Sequence, residues 1–348
     1  MKISRWIFAA GLAVLLPAPA LRAQVTVPSE VKARYLTMPP TPADHNRLGL
    51  AFTPYSASHW YKGDIHCHSN TDGERMPRHG DGPPEATLNW YANHGYDFVV
   101  LTDHNFYHQG LTAPPNLLYI PGEEVTTTNY HVNGLGTKSY IRPLFDSDKL
   151  PTYQHAANEI VAQGGVAMLN HPITPLAFVY PEDLMALDNM RLLEVYNMQP
   201  GSYKRLGEPL WDNVLTRGGV YWGTATDDAH MFRSERPAVG NPPGGGFVMV
   251  DAPALTAEAI VAALGEGKFY GSTGVLIAKY EVSAEAIEIW VNGSAPCAIE
   301  FIGAQGKVLG RERGTRASYR PRGDELYVRV RVEDDQGRLA LMQPVFYR

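Results

Sequence analysis

The sequence predicts an α/β fold that is followed by a small all-β region. Short apolar runs alternate with helical patterns between residues 61 and 274, which indicates strands joined by crossover helices in a parallel sheet. After Gly274 the helical patterns stop and period-2 alternation takes over. About seven apolar runs in this rhythm favour a barrel over an open sheet, although the pattern alone leaves both open.

The N-terminus has the features of a secretory signal. Lys2 and Arg5 supply a positive start, and residues 6–16 form an apolar stretch that is short for a bilayer span. Small residues that suit cleavage precede residue 24, so we expect a signal peptide over 1–23. An uncleaved anchor helix is the alternative. The mature chain is predicted to be exported, periplasmic or secreted, with no transmembrane segment.

A Pro-rich stretch over 24–60 lacks clear periodicity, and it is predicted to be an extended lead-in on the surface of the main domain. The main domain is predicted over 61–274. Its strands are expected at 61–68, 96–102, 117–121, 166–170, 191–196, 220–226 and 246–250, and its helices near 84–94, 152–163, 207–217 and 256–266.

Residues 275–348 are predicted to form a separate β-sandwich domain. Val328, Val330 and Val332 fall on one face of a strand, and Arg329 and Arg331 fall on the other. Turn signals such as Asn-Gly separate the alternating segments, and no helical pattern interrupts them.

Composition narrows the class of partner. The chain of 348 residues is 44% hydrophobic with a net charge of -6 and a pI of about 6.1, and it lacks a long Lys/Arg run. A nucleic-acid substrate is therefore disfavoured, and a small-molecule substrate is expected. The only cysteines, Cys67 and Cys297, are far apart in sequence and make a poor disulfide candidate.

Histidines and carboxylates recur where the apolar runs end. His66 and His68 are two apart on a predicted strand, so both imidazoles project to one face and make half of a metal site. Asp64 shares that face and could orient a histidine. Asp72, in the turn that follows, is a third potential ligand or a simple turn residue.

The next two apolar runs end in similar residues. His104 follows a buried strand, where an unpaired titratable group would be costly, and Asp103 precedes it. An Asp–His pair could belong to a nucleophilic triad, but no Ser or Cys sits in a recognisable elbow. Glu124 ends the following run and could bridge two cations, with Glu123 as its competitor.

Further along the chain, His131 and His171 are isolated histidines, and His171 is favoured by its position at a strand end before a proline. Asp228 and His230 repeat the period-2 geometry, with Asp227 as the alternative to Asp228. In parallel α/β folds, active sites lie at the C-terminal ends of strands, so we expect these side chains to converge on metal ions. The remaining histidines are expected to be surface or structural residues: His45, His59, His79, His94, His108 and His155.

The strings DIHCHS, VVLTDHN, PGEE, NHP and TDDAH, over roughly 61–274, resemble the motifs of the PHP (polymerase and histidinol phosphatase) superfamily of metal-dependent phosphoesterases. The segment FYGSTG with its β-rich tail looks like the exported branch that includes carbaryl-hydrolase-like metallohydrolases. The resemblance implies a distorted (β/α)7 barrel with two or three divalent ions, which would be zinc, manganese or iron.

The same resemblance assigns the ligands to three ions. One ion would be held by His66, His68, Glu124 and Asp228; a second by Glu124, His131 and His171; a third by Asp72, His104 and His230. The first motif departs from the family pattern, because its acidic ligand is usually one residue further on than Asp72.

These assignments predict a metal-dependent hydrolase, a phosphoesterase that acts on a small phosphate mono- or diester. Asp103 is the predicted catalytic residue for the leaving-group proton, with an imidazole as the alternative. Arg233 and Lys138 are predicted to bind the substrate phosphate. The rival functions are a carboxyl-ester, carbamate or amide metallohydrolase and a non-catalytic metal-binding protein of the cell envelope.

Overall fold

The computed structural model describes residues 27–41, 53–73, 79–146, 148–173, 178–198, 204–233 and 242–347. The predicted signal peptide, 1–23, lies outside the described residues. Within the described part of the chain, no helix combines the length and the apolar character needed to span a membrane.

The described residues form a mixed α/β structure. Its helices are α1 (Ser29–Leu36), α2 (Pro84–Asn93), α3 (Lys149–Ala162), α4 (Pro181–Met185), α5 (Lys204–Thr216) and α6 (Ala257–Glu266). Its first ten strands are β1 (Tyr55–Ala57), β2 (Tyr61–Cys67), β3 (Phe98–Leu101), β4 (Leu118–Thr126), β5 (His131–Leu135), β6 (Val166–Leu169), β7 (Met190–Asn197), β8 (Trp222–Thr226), β9 (Phe247–Val250) and β10 (Phe269–Ser272). The C-terminal strands are β11 (Ile277–Val282), β12 (Ile287–Val291), β13 (Cys297–Gly303), β14 (Lys307–Gly314), β15 (Arg316–Tyr319), β16 (Arg329–Glu333) and β17 (Leu339–Met342).

The seven strands predicted for the main domain correspond to β2, β3, β4, β6, β7, β8 and β9, and its four predicted helices correspond to α2, α3, α5 and α6. They form because each apolar run is buried on both faces, as in β3, all four residues of which are buried. Helix α6 shows typical termini, since the Thr256 side chain accepts a hydrogen bond from Ala259 N and Gly267 ends the helix at a φ of 74°.

The prediction of a parallel sheet is correct only in part. The pairs β2–β3–β4 and β6–β7–β8 are parallel, but β5 lies between these groups and is antiparallel to both β4 and β6. The sequence prediction missed β5 because its hairpin with β4 has no Gly or Pro. Thr127 and Tyr130 close that turn through a hydrogen bond from Thr127 N to Tyr130 O of 3.0 Å.

Strands β9 and β10 are also antiparallel to their neighbours, and the large sheet has the order β14-β13-β16-β17-β10-β9-β2-β3-β4-β5-β6-β7-β8. An isolated parallel bridge between Cys67 and Ala229 brings the ends of β2 and β8 together. The strand pairing of the described residues does not show a closed barrel, so closure stays a prediction.

The lead-in over 24–60 was predicted to be extended, but its described part contains helix α1. Helix α1 buries Val31 and Tyr35, which are four residues apart and therefore share one face. The Asn213 side chain on α5 donates to the carbonyl oxygens of Tyr35 (3.3 Å) and Thr37 (2.9 Å), which satisfies the end of α1. Strand β1 pairs with β11. A tertiary contact rather than local periodicity thus stabilises this helix.

The C-terminal region is all-β apart from a short 3-10 turn at Ala304–Gly306. A four-stranded sheet of the order β1-β11-β12-β15 shares its buried core with β13, β16 and β17, through residues such as Ile289, Phe301 and Val330. Strand β17 also pairs with β10, so the large sheet is continuous across the predicted boundary at 275. The proposed domain limits therefore stay predictions.

One buried ion-pair network ties the C-terminal strands to the helices. Arg329 on β16 is only 1% exposed, and its guanidinium contacts both carboxylate oxygens of Asp212 on α5, each at 2.8 Å. Glu208 lies 2.9 Å from the same guanidinium, and the Tyr327 hydroxyl donates to Asp212 at 2.9 Å. The face opposite the three valines is thus buried at Arg329.

We expect Asp212→Ala to lower the free energy of unfolding by about 3–5 kcal/mol, because it leaves the buried Arg329 charge without its bidentate partner. Urea unfolding followed by circular dichroism measures the change. Arg311→Ala is the matched control: it removes the exposed pair with Glu300, which should cost less than about 1 kcal/mol. Equal losses in the two variants would contradict the assignment.

Candidate metal centre

The side chains predicted as metal ligands converge at one edge of the large sheet. Each lies in or just after a strand, or in the loop after β2: His66, His68, Asp72, His104, Glu124, His131, His171, Asp228 and His230. The antiparallel β5 contributes through its first residue, His131, because that end lies at the same edge as the C-terminal end of β4. Convergence, the central structural prediction, is therefore observed.

Four of these residues surround a common centre at distances typical of ligands. His66 Nε2 lies 3.3 Å from Asp228 Oδ1 and 3.6 Å from Glu124 Oε1. His68 Nε2 lies 3.2 Å from Asp228 Oδ1 and 3.5 Å from Glu124 Oε2. In a tetrahedral site with metal–ligand distances of about 2.1 Å, neighbouring ligand atoms are about 3.4 Å apart. The observed spacing matches that of ligands around one cation.

Unpaired polar atoms at this centre also fit a cation. His66 Nε2, both ring nitrogens of His68 and Asp72 Oδ1 are buried and have no hydrogen-bond partner among the described residues. Buried polar groups in native proteins almost always have partners, and a cluster of buried polar atoms that bound no cation would be destabilising. The nitrogen and oxygen donors present, without a thiolate, suit zinc, manganese or iron.

Glu124 connects this group to a second one. Its Oε1 atom lies 2.9 Å from His131 Nδ1 and 3.6 Å from His171 Nε2. Its Oε2 atom lies 2.6 Å from His104 Nδ1. A carboxylate whose two oxygens face different imidazoles can bridge two cations.

The third predicted group is only partly assembled as expected. His104 and His230 lie on either side of His68, with ring centroids 4.4 and 4.2 Å from the His68 ring, and the ligand atoms of the three lie within 4.8 Å of one another. Asp72 groups instead with His68 and Asp103. The Asp72 carboxylate also accepts a hydrogen bond from His79 N at 2.9 Å.

Glu194, which the sequence analysis did not single out, is a further central residue. It lies on β7, is 2% exposed, and its Oε1 atom is 2.8 Å from His66 Nδ1 and accepts from the Thr226 hydroxyl. Its Oε2 atom accepts from His171 N and from Asn197 Nδ2, the latter at 2.9 Å. Glu194 therefore fixes which nitrogen of His66 faces the centre.

Two histidines that were predicted to lie outside the site contact residues predicted to belong to it. His79 is 3.3 Å from Asp72 Oδ2 and packs edge-on against the His104 ring at 4.9 Å. Its loop is held there by a hydrogen bond from Asp81 N to His230 O of 3.0 Å. His108 is buried and lies 2.5 Å from Asp103 Oδ2. Sequence spacing gave no signal for either histidine, because both lie in loops.

The structure separates the competing carboxylates. Glu124 faces the imidazoles, whereas Glu123 points away and accepts a hydrogen bond from Ile141 N at 2.8 Å. Asp228 faces the centre, whereas Asp227 accepts from Tyr91 OH at 3.2 Å and from Gly244 N at 2.6 Å. Alternation along β4 explains the first outcome, whereas Asp227 and Asp228 follow the end of β8, where Asp228 has a left-handed backbone.

The expected role of Asp64 also changes. Its carboxylate accepts from the backbone nitrogen of His66 at 2.9 Å and does not contact a histidine ring, so Glu194 orients the His66 ring instead. Burial, reinforced by the charge of Asp227, raises the pKa of Asp64 well above its usual range.

Electrostatics favour the cation-binding form at His68 and Glu124, whereas at His66 the neighbouring carboxylates outweigh burial and raise the pKa. Burial lowers the pKa of His68 well below its ordinary value, assisted by the charges of His230 and His104, which favours the neutral ring. Burial alone would raise the pKa of Glu124, but His104, His131 and His66 together hold it well below the usual range. A neutral imidazole and an ionised carboxylate are the states that metals require.

The backbone is strained at this edge of the sheet. His171, Asp228 and Asn105 have φ values of 25°, 50° and 52°, in the left-handed region that residues with a Cβ seldom adopt. Such conformations cost of order 1–3 kcal/mol each and cluster at functional sites. Two of the three residues, His171 and Asp228, are predicted ligands, so the strained backbone coincides with the predicted site.

The predicted substrate-binding cations fare differently. Lys138 follows the end of β5 that is remote from His131, and its backbone nitrogen donates to the Gln163 side chain at 2.7 Å, near the start of β6. Lys138 therefore lies at the end of the sheet opposite to the metal centre. The sequence analysis did not predict the antiparallel strand β5 that leads to it. Arg233 is exposed three residues after His230, and its backbone nitrogen donates to Asp81 at 3.0 Å.

The predicted catalytic residue, Asp103, is fully buried. Its Oδ1 atom accepts from Ser69 N at 2.5 Å, and its Oδ2 atom accepts from the Ser69 hydroxyl at 2.5 Å and contacts His108. Asp103 pairs with His108 and not with its neighbour His104, so the two do not form a triad arrangement. Cys67 and Cys297 are both free.

Among solved structures, the chain is similar to the crystal structure of a two-domain protein from Bacteroides vulgatus ATCC 8482, described as containing a predicted PHP-like metal-dependent phosphoesterase. The two share 16% sequence identity with a TM-score of 0.46, over 86% of this chain and 93% of that chain. No family model and no curated protein sequence matches the chain.

We expect Glu194→Gln to weaken divalent-metal binding roughly 10- to 100-fold, because an NH2 group would replace one of two oxygens that each face two donors. Competition with a chromophoric chelator measures the affinity. Glu159→Gln, an exposed change on α3, should leave the affinity unaltered. Wild-type affinity in Glu194→Gln would show that this carboxylate does not support the centre.

Glu123 should make stability depend on pH. Burial raises its pKa from 4.5 to about 8. The folded state therefore retains a proton that the unfolded chain loses, and the free energy of unfolding falls as pH rises from about 4.5 to 8. In thermal unfolding across this range, Glu123→Gln should become steadily more stable relative to the wild type. The difference should grow by at most roughly 1.4 kcal/mol for each pH unit. A constant difference between the two proteins would refute this.

Proposed function

We propose that the chain is a metal-dependent hydrolase, a phosphoesterase that acts on a small phosphate mono- or diester. The observation that supports it most directly is the spacing of His66, His68, Glu124 and Asp228, whose ligand atoms lie 3.2–3.6 Å apart with nitrogen atoms left unpaired. The resemblance of the strand-end motifs to the PHP superfamily agrees with this proposal.

His66, His68, Glu124 and Asp228 would hold one cation, and Glu124 would share a second with His131 and His171. His104 and His230, together with His68 or Asp72, supply donors for a third. Divalent cations bound in this way provide a water of lowered pKa and stabilise charge on the non-bridging oxygens of a phosphate.

The residues of the chain have distinct tasks in this scheme. The ionised carboxylates of Glu124 and Asp228 balance the charge of the cations. Glu194 holds His66 in the tautomer that leaves Nε2 free. Because both oxygens of Asp103 already accept hydrogen bonds, we assign it to positioning Ser69 and His108 rather than to proton transfer. Arg233 keeps the role of a phosphate ligand.

A carboxyl-ester, carbamate or amide hydrolase is the second candidate function. The observation that favours it is the position of Lys138, which removes one of the two cations that were expected to bind the phosphate. A carboxyl ester or carbamate is neutral, whereas a phosphate ester is already anionic, so a site for the neutral substrate needs fewer cationic side chains.

The location of the protein is a further part of the proposal. The positive and apolar residues of 1–23 support export to the periplasm or the medium. N-terminal sequencing of the protein recovered from the cell fractions would test cleavage near residue 23.

We expect Glu124→Gln to lose most bound metal and at least about 10³-fold in kcat/KM, because it removes the shared carboxylate. Glu123→Gln is a matched control one residue away, and it should retain both metal and activity. Elemental analysis and hydrolysis rates on the same samples provide the two readouts. If Glu124→Gln retained activity, or if the two variants behaved alike, the metal centre would not be the catalytic site.

A substrate panel distinguishes the functions. The metal-loaded wild type should release phosphate from aryl phosphates and bis-aryl phosphates faster than it hydrolyses matched aryl acetates and carbamates. The reverse order would establish the ester or carbamate function. Activity on neither class, in a protein that retains its metals, would favour the non-catalytic metal-binding role.

A further inference from the structure

A cavity lies at the opposite end of the sheet from the metal centre. It has a volume of about 690 Å³. Its walls include Trp222, which starts β8, Phe269, which starts β10, and Asp251, which follows β9. Because Asp228 follows the far end of β8, the strand separates the two sites by up to about 20 Å. We call this cavity the distal cleft.

Aromatic side chains form much of the wall of the distal cleft. They come from separate elements and are Tyr55, Trp222, Phe269, Tyr280 and Phe346. Tyr55 and Tyr280 pack edge to face, with ring centroids 6.2 Å apart, and Trp222 and Phe346 do the same at 6.4 Å. Edge-to-face packing of this kind fixes the positions of the rings that line the cleft.

The charge of the distal cleft is negative. Glu266 and Lys268 neutralise each other, with Lys268 Nζ 2.6 Å from a Glu266 oxygen. Asp251 forms no ion pair within the described part of the chain, and it lies beside the Tyr55 phenol, whose pKa it raises together with burial. One carboxylate is therefore left over among five aromatic rings.

The remaining polar groups are either occupied or uncharged. The Gln343 amide is occupied, since its oxygen accepts from Gly223 N at 2.8 Å and its NH2 group donates to Gly223 O at 2.9 Å. The Tyr280 hydroxyl is buried without a hydrogen-bond partner among the described residues, and the Tyr55 hydroxyl lies against Asp251. The lining thus combines aromatic rings, phenols and one unbalanced carboxylate.

We propose that the distal cleft is a binding site for an organic cation, an ammonium group on a small apolar body. An ammonium ion is attracted to aromatic faces and, out of bulk water, to a carboxylate, so the two features act on one ligand. The apolar body of the ligand would cover the Phe269 and Phe346 rings. The site is independent of the proposed hydrolase activity.

Isothermal titration calorimetry with choline and its neutral isostere 3,3-dimethylbutan-1-ol tests the proposal on the unmodified, metal-loaded protein. The two probes have the same shape and differ in charge. We expect choline to bind with a Kd below about 10 mM and at least tenfold more tightly than the alcohol. Equal affinity for the two, or no heat from choline up to 50 mM, would overturn the proposal.

Variants test whether choline binds in the distal cleft. Asp251→Asn should weaken choline binding at least tenfold while metal content and melting temperature stay unchanged, and Asp251→Glu should restore part of the affinity. His66→Ala, which alters only the metal centre, should bind choline like the wild type. Loss of choline binding in His66→Ala, or its retention in Asp251→Asn, would overturn the assignment. If Asp251→Asn fails to fold, the comparison of choline with its isostere decides alone.

Discussion

The structure depends on the buried carboxylate of Glu124. It is fully shielded from solvent and lies among five imidazoles, those of His66, His68, His104, His131 and His171. A buried charge is tolerated only when it is paired, and the histidines that surround this one come from the ends of four strands, β2, β3, β5 and β6. The course of the strands, the left-handed backbone at His171 and the hydrogen bonds of Glu194 all serve that requirement.

Much of this arrangement could be predicted, because the signals were local. Apolar runs located the strands that carry His66, His104 and Glu124, and the period of two in the first motif placed His66 and His68 on one face. The fold class, the helices of the main domain and the all-β C-terminus followed from the same periodicities. What the pattern predicted best was the set of residues that end buried strands.

The remainder depended on tertiary contacts. Glu194 lies inside an apolar strand, where a lone carboxylate resembles a solvent-facing residue; only the neighbouring Thr226 and His66 show that it points inward. His79 and His108 lie in loops, whose paths no periodicity reveals. Lys138 was misplaced because strand β5 reverses direction after a turn without Gly or Pro. Helix α1 was missed because Asn213, remote in sequence, satisfies its C-terminal end.

The pairing of β10 with β17 has a consequence for the integrity of the fold. Ser272 is paired with Ala340, so the strand that ends the α/β part is bordered by one of the last segments of the chain. A fragment cut near residue 274 would leave β10 as a naked sheet edge, and unprotected edges of this kind invite aggregation. The α/β part is therefore not a detachable module, because the protection of its sheet edge depends on β17, which lies far along the chain from β10.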